Sequence, residues 1–244
     1  YEVIKYFKEK LPKHIRISRV FRDIPIANIS GGARVPNMRQ VLQKTMEDEG
    51  KYCKCIRCRE IKDTEFNKDD IYYNTLDYEA SGGREYFISA NIKSKCLNPY
   101  KSTLVGFLRL RLPSRNNEVV DYLPNLKNSS LVRELHVYGR MIPVHFYKND
   151  IKGNTSQHLG VGKTLLKMAE KISGDKKYSK ISVISGVGVR KYYENQGYIL
   201  DNTYMHKRLY LPIICIDHII IVIFVSLILL ILINMRLLSY NNLK

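Results

Sequence analysis

Gln157, His158, Leu159, Gly160, Val161 and Gly162 lead directly into the apolar spacing Val161, Leu165, Met168, Ala169 and Ile172, which predicts a helix over 160–172. Glycines at 160 and 162 let main-chain N–H groups approach a ligand without a Cβ in the way. A loop of this kind aims unpaired N–H groups and the positive end of the helix dipole at an anion, so its chemistry is the holding of a pyrophosphate. Ser156, Gln157 and His158 enter the loop, and the N–H groups from Leu159 to Lys163 supply the donors. Gly162-Lys163-Thr164 invites comparison with a nucleotide-triphosphate loop. That loop requires a glycine five positions before Gly162, and the chain has Gln157 there, which excludes it. Alone, the loop reads as an ordinary glycine-rich helix entry; its neighbours along the chain reverse that.

Two more groupings carry chemistry. Tyr192 and Tyr193 fall in a short predicted helix over 189–196, which Gly197 terminates. Neighbours on a helix point about 100° apart, so one phenol faces a ligand and can act as a proton donor while the other packs. Cys53, Cys55 and Cys58 are spaced Cys-x-Cys-x-x-Cys, close enough to bind zinc through three thiolates. The fourth ligand is open between His14, Cys96, water and substrate, and three free buried thiols are the other reading. Lys51, Lys54, Arg57, Arg59 and Lys62 interleave with the cysteines, a pattern suited to RNA phosphates, and Arg16, Arg19, Arg22, Arg34 and Arg39 extend the track.

The bulk composition is consistent with such a partner. Forty Lys and Arg against 23 Asp and Glu give a formal charge of +17, a field that attracts nucleic acid or anionic lipid. Residues 1–62 hold 15 of the cations and 7 of the acids. Five cysteines, odd in number and clustered, differ from a secreted disulfide framework and indicate a reducing compartment. The patterned basic segment already under way at Tyr1 leads us to expect a piece cut from a longer protein.

These groups need a scaffold. Strand-like runs at 84–91, 103–112, 131–138 and 180–185, rich in β-branched and aromatic residues, alternate with polar loops and the two helices. The expected fold class is α+β, a mixed and mainly antiparallel sheet with few helices. Residues 91–101 and 115–127 are expected as loose polar inserts. The segment 211–235 is almost wholly apolar, with no charged residue from Ile219 to Ile233. It is long enough to span a bilayer if Asp217 and His218 lie near the interface, and nine residues follow it. We expect a tail anchor with the folded part facing the cytosol, in the outer mitochondrial or endoplasmic-reticulum membrane. A buried core helix, with a cytoplasmic or nuclear address, is the alternative.

Arg133-Glu134-Leu135-His136-Val137-Tyr138-Gly139, the 157–162 loop, Ile184 to Arg190, Tyr192-Tyr193 and Gly197-Tyr198 occur together and in order. With Gly106 to Arg111 and Arg22-Asp23-Ile24-Pro25 they resemble the catalytic subunit of the Elongator complex over residues 1–209. The resemblance implies that 1–49 is the end of a radical S-adenosylmethionine domain, 50–70 a cysteine-rich basic linker, and 71–209 a GNAT-type acetyltransferase domain. It implies acetyl-CoA as donor and transfer RNA as partner, alongside other Elongator subunits. The reaction it implies joins an acetyl-derived carbon radical to the wobble uridine, with thioester hydrolysis leaving a carboxymethyl group. The S-adenosylmethionine and 4Fe-4S cluster of that reaction imply ligands upstream of this chain.

The resemblance also distributes roles. Leu135 to Val137 form a splayed strand that pairs with pantetheine amides, an unpaired edge being a hydrogen-bonding template. Glu134 and His136 activate or position a nucleophile, water included, unless they are alternate-face strand residues satisfied by neighbours. Tyr193 is the favoured coenzyme contact of the tyrosine pair. Two other functions compete with transfer RNA modification: acetylation of histone or other protein lysines, which needs a carboxylate base, and a membrane-tethered RNA-binding module without turnover.

Overall fold

The computed structural model describes residues 1–20, 25–32, 34, 35, 37–62, 66–93, 102–114, 123–139, 160–209 and 224–228. Among these, seven strands form one sheet in the order β1-β2-β3-β4-β5-β7-β6. The strands are β1 (Ile71–Ala80), β2 (Gly83–Ile92), β3 (Thr103–Pro113), β4 (Ser129–Val137), β5 (Lys180–Ile184), β6 (Ile199–Asp201) and β7 (Tyr204–Arg208). All pairings are antiparallel except β4 with β5. The helices are α1 (Glu2–Lys10), α2 (Met38–Asp48), α3 (Ile56–Arg59), α4 (Val161–Asp175) and α5 (Arg190–Glu194). The α+β expectation agrees with this mixed sheet.

Side chains on a strand alternate between faces, and β3 divides the molecule accordingly. Leu108, Leu110 and Leu112 point to one face, where Ile88, Val132 and the helix residues Val161, Leu165, Leu166 and Ala169 join them in one apolar cluster. Leu108, Leu110 and Leu165 have no exposed surface; each contributes roughly 2 kcal/mol of transfer free energy. Phe107, Arg109 and Arg111 point to the opposite face, which meets the N-terminal segment: Arg109 Nη2 donates to the His14 carbonyl at 2.8 Å. With both faces covered, β2 is buried from Tyr86 to Ile92. The loose insert expected from Asn91 therefore starts later, because Asn91 and Ile92 are strand residues.

The cysteine segment packs into the same core. Ile56, Ile61 and Phe66 belong to the apolar cluster, Ile56 N–H donates to the Ile15 carbonyl, and Ile61 N–H donates to Leu104, both at 2.9 Å. Helix α1 turns two of its three lysines inward: Lys8 is fully buried and Lys5 nearly so, while Lys10, Val3, Tyr6 and Phe7 are exposed. Of the apolar segment 211–235, only 224–228 are described, and they are helical with exposed side chains. Among the described residues no helix is long and apolar enough to cross a membrane.

Candidate active site

Strand β4 has two partners at its start and one at its end. Ser129 to Val132 pair with β5, but from Arg133 to Val137 β3 is the only strand alongside among the described residues. The strands part at a bulge: Arg109 pairs with Glu134 and Leu110 with Val132, leaving Arg133 unmatched. Its side chain reaches instead across the sheet to Glu85, at 2.8 Å. The parting leaves an open edge along Leu135, His136 and Val137, where the sequence anticipates pantetheine.

The N-terminus of α4 closes the other side of this opening. Gly160 caps the helix with a left-handed φ of 73°, a conformation that favours glycine. A Cβ on Gly162 would lie 2.8 Å from the Tyr192 hydroxyl and 3.5 Å from Val137 Cγ2, so a side chain there would collide with the tyrosine. The Tyr192 hydroxyl is buried and has no hydrogen-bond partner among the described residues. A buried unpaired donor is uncommon, and this one sits beside the helix N-terminus and the open strand edge. Burial, and then the charge of Glu170, pushes the Tyr192 phenol up to about 12. Lys163 is exposed on the first turn of α4. Ser156, Gln157 and His158 lie outside the described residues.

Tyr193 is 6% exposed. Its ring meets Tyr192 edge-on at 5.2 Å and Tyr198 at 5.7 Å, and burial, then Tyr192, pushes its phenol up to about 12. The pair thus divides as helix geometry requires, but it is Tyr192 that reaches α4, while Tyr193, which the resemblance favours as the coenzyme contact, packs between Tyr192 and Tyr198.

Glu134 and His136 occupy the opposite face of β4 from Val137 and Tyr192. Arg109 Nε donates to Glu134 Oε2 at 3.1 Å, while the guanidinium lies 5.6 Å from the ring centres of Phe87 and Phe107. His136 stacks on Phe107 at 5.9 Å and meets Tyr138 at 4.4 Å. Among the described residues the parting of β4 from β5 therefore leaves a passage between two faces, one with the helix N-terminus and Tyr192, the other with Glu134 and His136.

No family model matches the chain. The curated protein named tRNA uridine(34) acetyltransferase from Methanocaldococcus jannaschii is 40% identical over 218 residues, covering 85% of this chain and 37% of that protein. Elongator complex protein 3 of Schizosaccharomyces pombe is 42% identical over 206 residues, 82% of this chain and 35% of that protein. A solved structure of the archaeal Methanocaldococcus infernus Elp3 with an N-terminal deletion is 39% identical, with a TM-score of 0.66, and the match covers 85% of this chain and 47% of that one. The chain is similar to Elongator complex protein 3. It spans little more than a third of the length of these curated relatives.

In this Elongator-like chain the sulfurs of Cys53, Cys55 and Cys58 all lie within 4.8 Å of one another. Tetrahedral zinc at about 2.3 Å from each sulfur spaces its ligands by about 3.8 Å, which the triad fits. Cys55 is held low by hydrogen bonds from Cys53 first and then Cys58, and Cys53 is pushed up by its bond to Cys55. Lys8 Nζ donates to Cys58 Sγ at 3.6 Å. Among the described residues His14 does not join the group; its ring stacks on Tyr78 at 4.1 Å. Cys96 lies outside the described residues.

The basic track is not uniform. Arg59 is 6% exposed and donates to the carbonyls of Lys54 and Lys13, each at 2.8 Å, and to Asn91 Oδ1 at 3.2 Å. It is an internal brace, which corrects its expected role as an RNA contact; alternation with exposed lysines concealed a side chain turned inward. Arg39 is likewise occupied by the carbonyls of Ile17 and Ser18. Lys51, Lys54, Arg57, Lys62, Arg16 and Arg19 are exposed, with Lys51 3.0 Å from Glu49, and Arg22 lies outside the described residues. The sequence did not single out Arg109 for a role, because its partners stand 25 and 95 residues away.

Proposed function

We propose that this chain carries the acetyl-CoA part of an Elongator-type transfer RNA wobble-uridine acetyltransferase that forms a carboxymethyl group. The observation that carries the reading is the unpaired Tyr192 hydroxyl, wedged against Gly162 beside the open edge of β4. The N–H groups of the Gly160 turn bind the pyrophosphate. The free edge of Leu135 to Val137 bonds the pantetheine amides, leading the thioester through the passage toward His136. His136 takes a proton from the water that attacks the thioester carbonyl, the C–S bond breaks to leave the carboxyl group, and Tyr192, protonated across the neutral range, gives its proton to the departing coenzyme thiolate and is restored through solvent by the proton His136 took up.

Glu134 is engaged by Arg109 and is poorly placed to deprotonate an ammonium, which disfavours lysine acetylation. Zinc at Cys53, Cys55 and Cys58 would hold the segment of basic residues in one shape against the sheet, a structural charge with no part in the chemistry. The resemblance puts the ligands of a 4Fe-4S cluster upstream of this chain, so no step involving that cluster or S-adenosylmethionine is assigned to these residues. Partners in the reading are transfer RNA, through the exposed basic residues, and other Elongator subunits. The uncharged run Ile219 to Ile233 supports a membrane-inserting segment; deleting 212–244 should release the protein from the membrane fraction, and retention would end that proposal.

Incubation with acetyl-CoA and either transfer RNA or a histone peptide tests the main reading. Release of coenzyme thiol stimulated by transfer RNA, with no acetylated peptide, is expected. Peptide acetylation that ignores transfer RNA would overturn it.

A further inference from the structure

A trough of about 380 Å³ lies on the face of the sheet opposite α4, over β1 and β2, away from the β4 edge. Its volume falls within the range of about 300–1,000 Å³ usual for small-ligand sites. Phe87 and Asn91 form part of the floor, Tyr72 and Asn74 one side, and Lys13 and Lys54 the other. The floor is rigid: Asn91 accepts from Arg59 and donates to the Ser89 carbonyl and hydroxyl, and the Ser89 hydroxyl donates to the Asn74 carbonyl at 3.3 Å. The walls, by contrast, are uncommitted. The Tyr72 ring is 37% exposed, the Asn74 amide makes no side-chain hydrogen bond among the described residues, and neither Lys13 nor Lys54 has a carboxylate partner among them.

The charges on that wall reinforce one another. Burial, followed by the nearby charges of Arg59 and Lys54, holds the Lys13 ammonium below its ordinary value, so an anion placed there relieves like-charge repulsion. An aromatic ring, an amide able to give and accept, and two unneutralised cations around a rigid floor match the three parts of a nucleotide: a stacking face, a base edge and a phosphate. A free anion needs only the lysines, and an apolar ligand would leave the lysines and amide unused.

We infer that the trough seats one unpaired nucleotide of an RNA strand, its base stacked on Tyr72 with its edge toward Asn74, its phosphate on Lys13 and Lys54. The inference rests on the reading of the chain as RNA-acting and adds a base-binding position separate from the acetyl-CoA passage.

Fluorescence titration of the whole chain with a labelled uridine hexanucleotide tests it, using Tyr72→Ala, Asn74→Ala and Lys13→Glu variants whose folding is checked by circular dichroism. Tyr72→Ala should weaken binding about tenfold, the loss of one stacked base. Asn74→Ala should weaken it less, and Lys13→Glu should weaken it and flatten its salt dependence. An abasic hexamer should bind the wild type as weakly as the uridine hexamer binds Tyr72→Ala. Equal binding of abasic and uridine hexamers, an unaffected Tyr72→Ala, equal competition by inorganic phosphate and uridine monophosphate, or no RNA binding at all would each overturn the inference. Acetyl-CoA affinity, measured on the same samples, should not change. Its absence from every sample, with Tyr72-dependent RNA binding intact, would defeat the acetyltransferase reading and leave the trough standing.

Discussion

The guanidinium of Arg109 holds the carboxylate of Glu134 at 3.1 Å while donating to the His14 carbonyl at 2.8 Å. One side chain thereby ties the strand with the open edge to the N-terminal segment. Loss of a general base costs about 10²–10⁴ in rate, whereas a half-exposed ion pair contributes about 0.2–1 kcal/mol. Glu134→Gln should accordingly keep thiol release within about fivefold of wild type. A loss of about a hundredfold or more in a kinetic assay would instead make Glu134 the base.

Two neighbouring arginines should separate stability from RNA affinity. Arg59→Ala removes three internal hydrogen bonds and leaves Asn91 Oδ1 without its donor, and should cost roughly 3 kcal/mol in denaturant unfolding. Arg57 is exposed, with Glu60 3.7 Å away, and Arg57→Ala should weaken RNA binding and reduce its salt dependence with unfolding unchanged. The reverse pattern would show that the burial of Arg59 has been misjudged.

The cysteine triad predicts metal-linked folding of its own segment. Zinc should bind in a ratio of one to one, measured by metal analysis, and a chelator should lower the thermal midpoint of the wild type. Cys55→Ser should bind about tenfold more weakly or not at all, because three thiolates supply most of a tetrahedral site. A chelator with no effect on metal-loaded protein would remove zinc from the account.

Acid should loosen the far side of the sheet. Ser182 on β5 meets His206 Nδ1 on β7 at 2.7 Å. Burial first, and then Lys180, holds the imidazole below its ordinary 6.5, against a weaker opposite pull from Asp201. The folded state thus keeps His206 neutral where the unfolded chain takes up a proton. Stability is full above about pH 6.5 and is lost as the pH falls through the lower folded value. His14 is depressed as well, by burial and then Arg109, so the His206 share must be isolated by difference. Between about pH 7.5 and about pH 5.5 the thermal midpoint of wild type should fall further than that of His206→Gln. Equal falls would contradict the assignment.

The centre of the fold was legible in the sequence because β2, β3 and β5 are buried on both faces and read as dense apolar runs. The β1 strand was not, since its burial alternates and its residues Asn74, Thr75, Asp77 and Glu79 suit a loop equally well. The short β6 and β7 owe their strand state to pairing with β5 and with each other, a tertiary effect that local propensity does not carry. Helix α1 defeats amphipathic reasoning, because Lys5 and Lys8 face inward toward Glu49 and Cys58. At the site, glycine spacing disclosed the helix N-terminus. The choice between adjacent tyrosines required the angle of α5 against Gly162, and the engagement of Glu134 required the pairing of β3 with β4.

The account rests most heavily on acetyl-CoA entering beside Gly162, and calorimetric titration of the intact chain measures this directly. The wild type should bind acetyl-CoA at a single site. Gly162→Val, whose Cβ would lie 2.8 Å from the Tyr192 hydroxyl, should lose at least about tenfold in affinity while remaining folded. No saturable binding to the wild type, or equal binding by Gly162→Val, would contradict the site.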